Sequence, residues 1–130
     1  MSKYASLIRA IISFNKKRGW EPTESDHAKS IVIEASELLE HYQWEESDRG
    51  ARGIEPKNYE EIGEEVADIF WYLVGFCRAA DINLEKVVED KLAKNEKKYP
   101  ENKFKGKHND KFYKSQKRKY RTGRKRVNRK

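Results

Sequence analysis

The sequence lacks the residues that staple a chain or carry it across a membrane. It has one cysteine, Cys77, so no disulfide framework is available and a reducing compartment is the simple reading. Its longest apolar run, Val66 to Cys77, is broken by Asp68 and falls short of the ~20 residues a membrane-spanning helix needs. No apolar stretch follows the N-terminal Met-Ser-Lys-Tyr, so no secretory leader is expected and the expected location is cytoplasmic. There is no Gly-rich phosphate loop, no cluster of His and Cys at zinc-ligand spacing, and no Ser/His/Asp or Cys/His arrangement. These absences exclude the common covalent-nucleophile and zinc chemistries. His27 and His41, with no such constellation around them, read as surface residues.

What is abundant is charge. Charged residues make up 39% of the chain and hydrophobic ones 36%, and the charge is unevenly spread. Residues 1 to 100 hold 15 Lys/Arg and 20 Asp/Glu, a net of −5, whereas residues 101 to 130 hold 14 Lys/Arg and 2 Asp/Glu, a net of +12. The division predicts an all-α acidic domain over 1–100 and a basic, disordered tail over 101–130. At 130 residues, one core-bearing domain is the expectation.

Within the acidic part the apolar residues recur at helical spacing. Tyr4, Leu7, Ile8, Ile11 and Ile12 predict a helix over residues 3–18, with Gly19 placed to cap it. After Trp20 and Pro22, Ser25 or Asp26 is the expected N-cap of a second helix. The stripe of that helix reads as Ile31, Val32, Ala35, Leu38, Leu39 and Tyr42. Residues 45–57, with Gly50, Gly53 and Pro56, lose periodicity and read as a loop. Asn58 opens a third helix with Ile62, Val66, Ile69, Leu73 and Phe76 as its stripe. Phe70, Trp71, Tyr72 and Val74 make it apolar nearly all round, which points to a subunit interface. Leu84, Val87, Val88 and Leu92 define a fourth helix, along whose face Lys91 and Asn95 continue, and Pro100 stops it.

Two acidic pairs stand on the second and third helices: Glu34 with Glu37, and Glu65 with Asp68. Residues three apart share a helix face. At 100° per residue, Glu34 lies roughly 100° and Glu37 roughly 160° from their stripe centre, and Glu65 and Asp68 roughly 80° and 140° from theirs. The pairs hold nearly the same station. Antiparallel packing would bring them into a four-carboxylate cage, and oxygen-only donor sets suit Mg²⁺ or Mn²⁺. Glu40 and Glu64 read as supporting charges. Trp20 and Trp44 are either core residues or a stacking surface for a nucleobase. The lysines Lys91, Lys94, Lys97 and Lys98 read either as a solvated face or as a cationic rim for phosphates.

The stretches Glu34-Ala-Ser-Glu37-Leu-Leu-Glu40-His-Tyr-Gln-Trp44, Glu65-Val-Ala-Asp68-Ile-Phe-Trp-Tyr72 and Lys91-Leu-Ala-Lys-Asn95-Glu-Lys-Lys-Tyr99-Pro100 together resemble the MazG-like all-α NTP pyrophosphohydrolases, nearest to the dCTP pyrophosphatase-like branch. The likeness spans roughly residues 3–100. It implies a bundle of four to five helices that dimerises or pairs dimers, with Mg²⁺ held by Glu34, Glu37, Glu65 and Asp68. It implies hydrolysis of a nucleoside triphosphate to the monophosphate and pyrophosphate, with Glu37 or Glu34 as general base, in nucleotide-pool house-cleaning. Trp20, Trp44, Tyr72, Lys91, Asn95 and Lys98 are the expected substrate contacts. Branch members often carry His-x-Pro-Arg/Lys-Asn before the second helix, where this chain has Trp20-Glu-Pro-Thr-Glu-Ser-Asp26-His27, so the base preference does not carry over. The basic tail supports a second reading, a nucleic-acid-binding protein that contacts phosphate backbones through residues 103–130. No membrane partner is expected.

Overall fold

The structure is a computed structural model that describes residues 2–43, 57–106 and 109–127. Every regular element among the described residues is helical: α1 (Lys3–Lys17), α2 (Glu24–Glu40), α3 (Tyr59–Ala79), α4 (Leu84–Lys98), α5 (Glu101–Phe104) and α6 (Asp110–Val127). Of the loop predicted over 45–57, residues 45–56 lie outside the described residues. The chain forms two compact units, Met1–Leu84 and Glu85–Lys130.

In the first unit α3 is the central element, packed along α2 and, less extensively, against α1. Ser2 caps α1 by accepting from the Ala5 N–H, and Gly19 leaves it with φ of 65°, a left-handed turn that glycine adopts without a steric penalty. Phe14 fastens α1 to α3 edge-on to Trp71 at 5.1 Å, beside a hydrogen bond from Trp71 Nε1 to Asn15 Oδ1 of 3.3 Å. The guanidinium of Arg18 lies over the Phe14 ring, 3.3 Å from its centre.

The N-cap of α2 is Thr23, three residues before the upper of the two expected positions. Thr23 Oγ1 accepts from the Asp26 N–H, and Asp26 Oδ2 accepts from the Thr23 N–H at 3.0 Å. Asp26 is therefore the reciprocal partner in a capping box rather than the cap. Its pKa is lowered, first by the backbone hydrogen bond from Thr23.

The buried face of α2 also differs from the expected stripe. His27, Ser30, Ile31, Glu34, Leu38 and His41 are buried or half-buried, while Val32 and Leu39 stand 64% and 68% exposed. On a 100° wheel Glu34 then falls within roughly 20° of the centre of the buried face, instead of about 100° away. Counting Val32, Leu39 and Tyr42 in the stripe rotates its centre toward side chains that stand exposed. On α3, likewise, Val66 is exposed and Glu65 half-buried, while Ile62 in its first turn and Val74, Gly75 and Cys77 in its C-terminal half are buried. Asn58 caps this helix as expected, accepting from the N–H groups of Glu60 and Glu61. Asp81, at φ of 53°, turns the chain out of α3, and the Ile82 N–H closes the end on the Cys77 carbonyl at 2.7 Å.

In the second unit no residue of α4 is buried, and Val87, Val88 and Leu92 stand exposed. After residue 101, where the sequence predicts disorder, the described chain is largely helical. Tyr99 stacks on Tyr113 at 5.3 Å, Phe104 meets Tyr99 and Phe112 edge-on, and Gln116 Nε2 donates to the Lys98 carbonyl at 3.1 Å. The aromatics look scattered in sequence because Tyr99 follows α4, Phe104 ends α5 and Phe112 and Tyr113 open α6. In space they form one cluster that gives α6 something to pack on.

Candidate metal centre

The seam between α2 and α3 brings three of the four predicted carboxylates together. Glu34, Glu37 and Glu65 each offer an oxygen, and these oxygens lie within 4.8 Å of one another. The half-buried faces of the two helices position Glu34 and Glu65, while Glu37 sits one turn along α2 and is exposed. Asp68 is exposed and is not in the three-oxygen cluster, though its charge acts on both Glu34 and Glu65.

The electrostatics show the cost of this arrangement. The pKa of Glu34 is raised, first by loss of solvation and then by Glu37, Asp68 and Glu65. That of Glu65 is raised by the same cause first and by Glu37 second. His41 opposes the shift at Glu65: its Nε2 lies 3.9 Å from Glu65 Oε1, and both side chains are largely buried. His41 is therefore part of the acidic site rather than a surface residue. Its position seven residues beyond Glu34, at the C-cap of α2 and two turns along one face, is the sequence signal that could have found it. Three convergent carboxylates that repel one another, with no nitrogen or sulfur donor in the set, fit a hard divalent cation such as Mg²⁺ or Mn²⁺.

Two turns before Glu34 on the same face, His27 is also buried, at 5% exposure, against the sequence expectation. Its ring packs against Gly75, and its Nδ1 atom has no hydrogen-bond partner among the described residues. Burial lowers its pKa and favours the neutral ring. The sequence signal missed here was the pairing of a buried-face histidine with a glycine on the facing helix.

His27 and Gly75 form part of the wall of a cleft of about 200 Å³, with Asn15, Trp20 and Arg78 among its other lining residues. Trp20 is thus beside a cavity, as a base-stacking role requires. Tyr72 is half-buried, its ring centre 6.4 Å from that of His27. Trp44 lies outside the described residues. Lys91, Asn95 and Lys98 belong to the second unit. There Lys91 is exposed, the Asn95 carbonyl accepts from the Tyr99 N–H, and Lys98 Nζ lies over the rings of Tyr99 and Tyr120.

A sequence profile described as the MazG-like family matches residues 29–114. The chain is 28% identical over 97 residues to dCTP pyrophosphatase 1 of Rattus norvegicus and, to the same degree, to that of Homo sapiens. These matches cover 72% of this chain but only 57% of the relatives, so the chain spans little more than half the length of the proteins it resembles. Among solved structures, a pyrophosphatase from Archaeoglobus fulgidus superposes with a TM-score of 0.62 at 34% identity, covering 77% of this chain and 94% of that one.

Proposed function

The chain belongs to the MazG-like family, and on that premise we propose that it is a divalent-metal-dependent nucleoside triphosphate pyrophosphohydrolase, converting an NTP or dNTP and water to the monophosphate and pyrophosphate. The observation that supports this best is the convergence of the Glu34, Glu37 and Glu65 oxygens on the α2–α3 seam. The names of the relatives, dCTP pyrophosphatase and pyrophosphatase, support the same reaction class.

In this reading Glu34, Glu37 and Glu65, with Asp68 beside them, hold Mg²⁺ or Mn²⁺. The bound cation supplies neutralisation of the polyphosphate charge and a lowered pKa for water. Hydrolysis of a phosphoanhydride by water asks for positioning and charge compensation more than for a covalent nucleophile. Glu37, the exposed member of the cluster, is the general base: it is the carboxylate most open to an arriving water. Glu34 and Glu65, half-buried, fix the site. His41 holds Glu65 toward its ionised form. Trp20 and Tyr72 border the nucleoside; on the family resemblance Lys91 and Asn95 match positions near the nucleotide, and the charge of Lys91 and Lys98 suits its phosphate oxygens. The role we propose for that reaction is the clearing of surplus or non-standard nucleotides.

We also propose that a second copy of the chain covers the exposed apolar residues Val32 and Leu39 of α2 and Val66 of α3, giving a homodimer or a pair of dimers. The activity is tested by incubating the protein with Mg²⁺ and a panel of nucleoside triphosphates that includes dCTP and identifying the products. Monophosphate with pyrophosphate is the expected result. Diphosphate with orthophosphate, or no turnover of any nucleotide, overturns the reading.

A further inference from the structure

The pyrophosphohydrolase reading leaves α6 without a role. Nine of its eighteen residues are Lys or Arg and one is acidic, Asp110, a net of +8. The structure adds an orientation that composition alone does not contain. Phe112, Tyr113, Gln116 and Tyr120 face the rest of the second unit through the Phe104 and Tyr99 rings, the Lys98 carbonyl and the Lys98 ammonium group. Lys111, Lys114, Arg118 and Arg121 are all exposed. Their spacing of three, four and three residues sets them within roughly 80° of one another, about 165° from the packed side. They form one straight cationic ridge, ~15 Å long at 1.5 Å per residue. The ion pair of Lys114 with Asp110 is the one acidic contact described along it.

We propose that this ridge docks double-stranded DNA through its phosphate backbone, without regard to sequence. Charge complementarity names a polyanion, since a duplex presents one negative charge per ~1.7 Å of axis and each cation that meets a phosphate releases a counterion. The occupied side of the helix narrows the choice. A helix that lies on a lipid surface needs a free apolar face, and the apolar side of α6 is spent on Tyr99 and Phe104. A single-stranded partner calls for free aromatic rings on which bases stack; Phe112 packs on Phe104, and Tyr113, 45% exposed, already has a face stacked on Tyr99. A helix of ~10–12 Å diameter enters the ~12 Å major groove of B-DNA, but not the deep, narrow groove of A-form RNA. Cations that meet phosphates carry no sequence information, and Gln116, the amide in the middle of the helix, donates to the Lys98 carbonyl instead of to a base edge.

The test is fluorescence anisotropy of a labelled 20-base-pair duplex with the full chain over a salt series. Matched measurements use a single strand, duplex RNA and vesicles containing phosphatidylserine. Wild type is expected to bind duplex DNA of any sequence with a log–log salt slope of about −3 to −4, the value for four phosphate contacts. K111Q/K114Q/R118Q/R121Q is expected to lose at least ~10-fold in affinity and most of that slope. K3Q/R9Q/K17Q/K29Q removes the same charge from the first unit and should bind as wild type. Circular dichroism checks that α6 is retained, and K111R/K114R, which keeps the charges, should keep the binding. Equal losses in the two quadruple variants would reduce the effect to net charge and overturn the proposal. So would preference for single strands, duplex RNA or vesicles over duplex DNA.

Discussion

The ring of His27 rests on Gly75 so closely that a Cβ built at position 75 would lie 2.2 Å from His27 Cε1 and 2.6 Å from its Nδ1. A methyl group and the imidazole cannot share this place. Gly75→Ala is therefore expected to destabilise the fold by ~1–3 kcal/mol, the usual cost of overpacking a tight contact. His27→Ala should relieve part of it, so the two substitutions are expected to be non-additive. Urea unfolding of the two single variants and the double variant reads this directly; additive losses would mean that the contact is not as tight as described.

The capping box at the start of α2 gives a second expectation. Thr23→Ala and Asp26→Ala each break it and should cost ~1 kcal/mol in thermal or urea unfolding, whereas Ser25→Ala, inside the helix and outside the box, should be close to neutral.

Glu37→Gln and Asp68→Asn are expected to abolish hydrolysis while leaving the helical circular dichroism spectrum intact. For direct ligands the loss should exceed the ~10–100-fold that attends removal of an outer-shell partner. Wild-type rates in both variants would remove the carboxylate site from the reaction.

Stability without added metal should vary with pH in two opposed ways. Glu34 and Glu65 have folded pKa values above the 4.5 of the unfolded chain. Their contribution is complete below pH 4.5 and is lost as pH rises through the folded values. His27 has a folded pKa below 6.5, so its contribution is complete above pH 6.5 and is lost as pH falls through the folded value. Calorimetry should accordingly show that Mg²⁺ raises Tm at neutral pH, where the carboxylates repel, and has little effect near pH 4.5, where protons occupy them. Glu65→Gln should raise the metal-free Tm at neutral pH and shrink the response to Mg²⁺.

A charge placed on the exposed apolar surface tests the assembly. Leu39→Glu or Val66→Glu should convert a dimer to a monomer in sedimentation velocity, with each chain still helical. A wild type that sediments as a monomer at all concentrations would dismiss the second copy.

The helices were legible because 3.6-residue periodicity, the Asn58 cap and the Pro100 stop are local signals. The spacing of Glu34, Glu37, Glu65 and Asp68 was legible for the same reason. Which side of each helix faces inward was not. Val32 and Leu39 are as apolar as Ile31 and Leu38, and only the partner helix decides between them. That ambiguity turned Glu34 outward in the sequence reading and hid His27 and His41, which occupy the same inner face. The order after residue 101 was hidden differently. It rests on Tyr99, Phe104, Phe112 and Tyr113 meeting across three elements, a pairing that no window of one helix contains.

Glu34 and Glu37 belong to α2 and Glu65 to α3, so the acidic cluster straddles the main seam of the first unit. Cation uptake and cohesion of that seam are then a single equilibrium. Amide hydrogens of α2 and α3 should exchange more slowly together, as one cooperative block, when the site is filled, while those at the free end of α1 keep their own rate.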